Sequence, residues 1–263
     1  MLSLWCANCA QTPAPGVLIL ATTTSVSNSG LLDFLLPAFR GDSGLEVRPQ
    51  PIGSGLALSM LATGQADVAL THAPDAEAAA LAKHPQWSYR KLMFNDFVIV
   101  GPANDPSLVA QARNAPEAFR RIAASHALFI SRGDGSGTEE RETLLWKLAG
   151  VTPARDQRVI AGAGMGATLR IADQMDAYTL SDRATFAQNA HGLAARLLFE
   201  GDSQLLNTYA VVHGDNAAAE AFAEWLLRGK GRDLIAAYRI GGQPAFSVWP
   251  LGQPDRDPHD LPK

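Results

Sequence analysis

Between Phe129 and Glu140 the chain reads Phe-Ile-Ser-Arg-Gly-Asp-Gly-Ser-Gly-Thr-Glu-Glu, a cation, hydroxyls and glycines set between an apolar run and a helical pattern. Those residue types suit an anion. Glycines let backbone N–H groups converge, a following helix adds its positive end, and the guanidinium of Arg132 offers paired donors to an oxyanion. Gly137 is followed by Thr138 and Glu139 with no lysine, so the loop is not a Walker-type nucleotide site. The competing reading is a plain strand-to-helix turn, with Ser136 as N-cap and Arg132 solvated.

Other chemistry is poorly represented. No Gly-x-Ser-x-Gly elbow occurs, and His126, His191 and His213 lack the spacing of a metal-binding helix. The two cysteines, Cys6 and Cys9, lie in a short apolar leader rather than at the start of a βαβ helix. Hydroxyls and arginines without a general base suit reversible capture, and no enzyme activity is expected. A formal charge of −4 disfavours nucleic acid or an acidic membrane surface as partner. Any anion site must be local.

The elements that would position such a site follow a repeating pattern. Val17 to Ala21 is a continuous apolar run, expected for a buried parallel strand, and it opens into the hydroxyl-rich turn Thr22-Thr23-Thr24-Ser25. Leu31, Leu32, Leu35, Leu36 and Phe39 recur at helical spacing, with Pro37 expected to kink or shorten that helix. Strand, small polar turn and helix recur at Leu45–Pro49 with Ser54, and at Val68–His72 with an Ala-rich helix from Pro74 to Lys83. Repeated βα units imply an open α/β sheet with ligands at the carboxyl ends of its strands. Gly162-Ala163-Gly164-Met165-Gly166 departs from dinucleotide spacing and reads as backbone donors at a helix start. Leu193, Leu197, Leu198 and Phe199 read as a helix, and Phe97–Val100 and Leu205–His213 as matching strands with Asn95 and Asn207 near their starts.

Four stretches taken together resemble the tungstate-binding proteins of ABC importers, within the type II periplasmic binding fold. They are Thr22–Ser25 with Ser29-Gly30-Leu31-Leu32-Asp33, Asn95 to Pro102, Ser131 to Thr138, and Ala177 to Arg183. The resemblance implies a two-lobed α/β fold, each lobe a mainly parallel sheet flanked by helices, joined by two crossover strands. Residues 17–97 plus 210–250 would form lobe one and 98–209 lobe two, with 1–16 a leader or signal remnant and 251–263 a poorly ordered tail.

Carried over residue by residue, the resemblance implies donors from Thr22, Thr23, Thr24, Ser25 and Ser54 on lobe one, and from Arg132, Ser136, Gly137 and Thr138 on lobe two. Arg183 matches the arginine that ends the family's Thr-Leu-Thr-Asp-Arg stretch and joins the set, with pairing to Asp182 or Asp134 as its alternative. Asp134 is expected to orient Arg132, since a carboxylate would repel a dianion. His72 is expected behind the contacts. It stands where phosphate-binding proteins, which share the Arg-x-Asp-x-Ser-Gly-Thr pattern, keep a carboxylate to accept the proton of their ligand. Its presence favours an unprotonated dianion.

The implied function is the substrate-binding component of an ABC transporter that captures tungstate, or molybdate, in the interlobe cleft. It needs no cofactor, and tungsten or molybdenum enters only as the bound oxyanion. The expected partners are that small oxyanion and a permease subunit at the membrane, the expected state a monomer, and the expected location periplasmic or extracytoplasmic. Two other readings stand beside it: a phosphate- or sulfate-binding protein of the same fold, and an oxyanion-sensing regulatory domain.

Overall fold

A computed structural model describes residues 16–262. The leader reading of 1–16, with Cys6 and Cys9, lies outside the described residues except for Gly16.

The apolar run at the start forms β1 (Val17–Thr23), followed by a one-turn helix α1 (Thr24–Asn28) and then α2 (Leu31–Ser43). Contrary to expectation, Pro37 does not end α2. The proline is exposed while Leu31, Leu32, Leu35 and Phe39 form the buried stripe, so the missing donor falls on the solvent side. β2 (Glu46–Ile52), α3 (Ser54–Ala62), β3 (Val68–Thr71) and α4 (Pro74–Lys83) follow, with β2 and β3 both pairing in parallel with β1. β2 tolerates Pro49 and Pro51 because it is the edge strand.

β4 runs unbroken from Ser88 to Gly101, longer than the Phe97–Val100 run read as its strand from the sequence. After it come α5 (Ala115–Ala124), β5 (Phe129–Ser131), α6 (Gly137–Ala149), β6 (Arg158–Ile160), α7 (Met165–Gln174), β7 (Tyr178–Asp182) and α8 (Arg183–Asn189). β5 pairs in parallel with both β6 and β7. Residues 196–199, expected to be helical, form β8 (Arg196–Phe199), whose Leu197 pairs with Val100 of β4. A short apolar run carries no period that separates strand from helix, and here the open side of β4 decides it.

β9 (Leu206–His213) completes the sheet, in the order β2-β1-β3-β9-β4-β7-β5-β6. Two parallel trios therefore flank a central antiparallel pair. Residues 88–96 of β4 pair with β9, and 97–101 pair with β7 and β8. One core gathers Leu20, Leu35, Phe39 and Phe222 around the first trio, and another gathers Phe97, Phe119, Phe129 and Trp146 around the second. The fold is α/β, a mixed sheet flanked by helices, as the family resemblance implied.

α9 (Ala217–Leu227) and α10 (Lys230–Ala237) are separated by Arg228 and Gly229, and a short hairpin follows, β10 (Arg239–Ile240) with β11 (Gln243–Pro244). β12 (Ser247–Val248) then pairs with β4. The segment read as a loose tail is instead strapped to β4. Arg90 binds the Asp255 carboxylate at 2.6 Å, Lys91 N–H donates to the Asp255 carbonyl, and the Trp249 indole donates to Pro254. The cause is Lys91, which is 1 % exposed and donates to Thr208 Oγ1 and the Pro258 carbonyl. Among the described residues no helix is long and apolar enough to cross a membrane.

Candidate functional site

The cradle forms where β5 turns into α6. Gly133 and Gly135 adopt φ of +63° and +67°, and a Cβ on Gly133 would strike Ile160 at 2.2 Å, so both positions require glycine. The turn consumes some of its own donors. Gly135 N–H donates to Glu139 and Ser136 N–H to Asp134, while Ser136 Oγ caps α6 by accepting from Glu139 N–H. Gly137 and Thr138, the first two residues of α6, keep N–H groups with no acceptor among the described residues, and these carry the positive end of the helix.

Arg132 is buried beneath this turn at 2 % exposure. Its Nε donates to the Ala163 carbonyl at 2.8 Å, and one terminal nitrogen binds both Asp134 Oδ2 and, at 3.3 Å, Thr24 Oγ1 on α1. Asp134 therefore holds one end of the guanidinium in place. The glycine run at 162–166 supplies the Ala163 carbonyl as acceptor here, donates Gly162 N–H to the Arg132 carbonyl, and opens α7 at Met165. Gly164 also lets Thr24 pack close, since a Cβ there would lie 3.4 Å from its side chain.

The first trio of strands delivers the facing half. Thr22 and Thr23 end β1, Thr24 and Ser25 form the first turn of α1, and Ser54 begins α3. The two halves are in contact. A Cβ on Gly53 would lie 3.0 Å from the Asp134 carbonyl, and one on Gly137 would lie 1.9 Å from the His72 carbonyl. Thr185 Oγ1 donates to the Ser25 carbonyl and Asp75 N–H to Glu140, further links across the same seam.

Not every hydroxyl faces the same fate. Thr23 Oγ1 accepts from Val26 N–H and shares a 3.0 Å bond with Ser25 Oγ, which in turn meets His72 Nε2 at 3.3 Å. Ser54 Oγ accepts from His72 N–H, which leaves its own proton to donate. Thr22 Oγ1 and Thr138 Oγ1 are buried with no partner among the described residues. A buried hydroxyl without a partner costs about 1–3 kcal/mol, so both are poised to gain from an acceptor.

His72 is almost fully buried, stacked on Tyr209 with ring centroids 5.0 Å apart, and its Nδ1 lies 2.8 Å from Asn207 Oδ1. Burial pushes its pKa down to about 4, so the ring is neutral at physiological pH. Asp182 caps α8 through one oxygen, accepting from Thr185 N–H, and its other oxygen has no partner. Burial raises its pKa.

The structure does not bring Arg183 to this set. Its guanidinium grips Asp96 through two bonds of 2.5 and 2.6 Å and also reaches Glu200, and the bonds to Asp96 raise its pKa. It lines a separate cavity of about 540 Å³ with Phe94, Asp96, Leu206 and Phe246. The sequence reading weighed Asp182 and Asp134 as its partners. Asp96 was overlooked because it lies 87 positions away and is brought in by the antiparallel pairing of β4 with β7.

The description "PBP superfamily domain" fits residues 10–230. The chain belongs to the PBP superfamily. Within that superfamily it is 43 % identical over 238 residues to the tungstate-binding protein TupA of Peptoclostridium acidaminophilum, covering 87 % of this chain and 83 % of that one. The crystal structure of the tungstate ABC transporter from Geobacter sulfurreducens superposes with a TM-score of 0.77 at 36 % identity, covering 84 % of this chain and 98 % of the other. The tungstate-binding protein TupA of Desulfovibrio alaskensis G20 gives 0.74, again at 36 % identity, over 89 % and 99 % of the two chains. These relatives bear out the resemblance drawn from the four sequence stretches.

Asn95, Asn207 and Tyr209 surround this PBP-type site without having been read as part of it. Asn207 Nδ2 donates to Asn95 Oδ1 at 2.9 Å and to Tyr209 Oη at 2.7 Å. The available signal was the matched position of the two asparagines on the two long strands. What it lacked was the register that sets them opposite one another. Among the described residues no group of three or more histidine, cysteine or acidic side chains is placed to hold a metal ion.

Proposed function

We propose that this chain captures a fully deprotonated tetrahedral oxyanion, tungstate or molybdate, between the two halves of its sheet. The observation that carries the reading is Arg132: a guanidinium held by Asp134, bonded across the seam to Thr24, and set beside the free N–H groups that open α6. The names of the relatives supply the identity of the ion.

The donors offered are the Arg132 guanidinium, the N–H groups of Gly137 and Thr138, and the hydroxyls of Thr22, Ser54, Ser136 and Thr138. Thr23, Thr24 and Ser25 support them. His72 Nε2 is already engaged with Ser25 and offers no acceptor to a protonated anion such as hydrogenphosphate. Residues 17–97 with 210–250 and residues 98–209 act as two lobes that close on the ion, its shell being completed only when both meet. The closed form is what a permease subunit of an ABC importer would receive, and that role places the protein outside the cytoplasm as a monomer without enzymatic activity.

Titrating the purified protein with tungstate, molybdate, sulfate and phosphate by calorimetry tests the reading. Tungstate or molybdate should bind and phosphate should not. A preference for phosphate would overturn it.

A further inference from the structure

The polar groups behind the cradle form one connected path with a fixed sense. Asn95 and Asn207 face each other in the ladder at the point where β4 passes from β9 to β7. Asn207 spends its amide on Asn95 Oδ1 and Tyr209 Oη, which fixes its Oδ1 toward His72 as an acceptor. An acceptor 2.8 Å from Nδ1 requires the proton on that nitrogen. The neutral ring then carries its lone pair on Nε2, where Ser25 Oγ is the neighbour. Ser25 must donate to it, and Thr23 must donate to Ser25 in turn. Thr24, between them, is the residue that meets Arg132.

We infer that Asn207, seated opposite Asn95 on the two crossover strands, selects the Nδ1-protonated form of His72 and through it fixes the Ser25 hydroxyl and the first turn of α1. Asn207 and His72 are thereby positioning residues for anion capture, and the strands about which the halves turn set the geometry of the turn that meets Arg132. The consequence for affinity rests on the oxyanion reading above; the proton position does not.

Nitrogen-15 NMR of the histidine side chains in the intact protein at pH 7 tests the first half. The expected pattern for His72 is a protonated Nδ1 and an unprotonated Nε2. A proton on Nε2, or a charged ring, would overturn the inference. Calorimetry with tungstate on Asn207→Leu tests the second half. The expected result is at least a tenfold loss of affinity with the His72 proton moved to Nε2, while Asn207→Asp, which keeps the acceptor, keeps the proton on Nδ1. Unchanged affinity and tautomer in a folded Asn207→Leu variant would show that Asn207 only supports the fold. If Asn207→Leu does not fold, the wild-type spectrum and Asn207→Asp still decide the proton position. Failure of the wild type to bind tungstate would refute the oxyanion reading and leave the spectral arm standing.

Discussion

Gly137 lies so close to the main-chain carbonyl of His72 that a Cβ at position 137 would sit 1.9 Å from that oxygen. The contact joins the first residue of α6 to the end of β3, so any side chain at 137 must hold the two halves apart.

Gly137→Ala should therefore resist closure more than folding. Overpacking of this kind costs about 1–3 kcal/mol, which on the closed state alone is a loss of about 5–150-fold in tungstate affinity. Small-angle scattering with and without tungstate should show the variant contracting less than the wild type. Equal contraction in both would count against the steric argument.

Arg132→Glu replaces the central donor with a like charge and should abolish tungstate binding in calorimetry, whereas Arg132→Lys should retain a weakened remnant, since an ammonium lacks the planar fork. Undiminished uptake by the glutamate variant would remove Arg132 from the site.

Thr138→Val separates binding from stability. The hydroxyl has no partner among the described residues, so replacing it with a methyl should leave the unfolding free energy measured in urea unchanged or raise it by about 1 kcal/mol. Tungstate affinity should fall about tenfold. A variant both less stable and equally tight would show that the hydroxyl serves the fold.

His72 predicts a dependence of stability on pH. Its pKa falls from the ordinary 6.5 to about 4 through burial, with Arg132 and Arg141 opposing protonation and Asp134 and the Asn207 bond favouring it. Between those values the unfolded chain binds the proton and the folded chain does not, so stability is complete above pH 6.5 and is lost as pH falls toward 4. The loss attributable to this group is about 3 kcal/mol. Chemical denaturation from pH 7 to 4 should show a shallower decline in His72→Gln than in the wild type; parallel curves would contradict the assignment.

Arg183→Met should leave tungstate affinity within about twofold of wild type and lower stability by about 1 kcal/mol, the bond to Asp96 being partly exposed. A large loss of affinity with intact stability would return Arg183 to the anion set.

The sequence made the local pieces legible and left the long-range ones hidden. The glycine-flanked cradle at 132–138 and the hydroxyl turn at 22–25 are written in consecutive residues, and the start of α6 could be read from Ser136 as its N-cap, whereas the short helix α1 that Thr23 caps was read only as a turn. The α/β class followed from recurring βα units. What escaped depended on register. Arg183 reaches Asp96, Leu197 pairs with Val100, and Asn207 meets Asn95 only because β4 accepts β9, β7 and β8 at successive positions along its length. The strap from 254 to 258 escaped for another reason. Its prolines and charges resemble disorder in isolation, and its anchor, Lys91, is more than 150 residues earlier.

The rung that joins Asn95 to Asn207 also describes how the gene product could be cut. The intervening residues leave β4 and return to β9 at facing positions of one antiparallel ladder, a gap a two-residue hairpin can bridge. The second half of the molecule is in that sense a passenger in a surface loop of the first. It should be removable, with a tight turn in its place, to yield two shorter polypeptides that each keep a hydrophobic core.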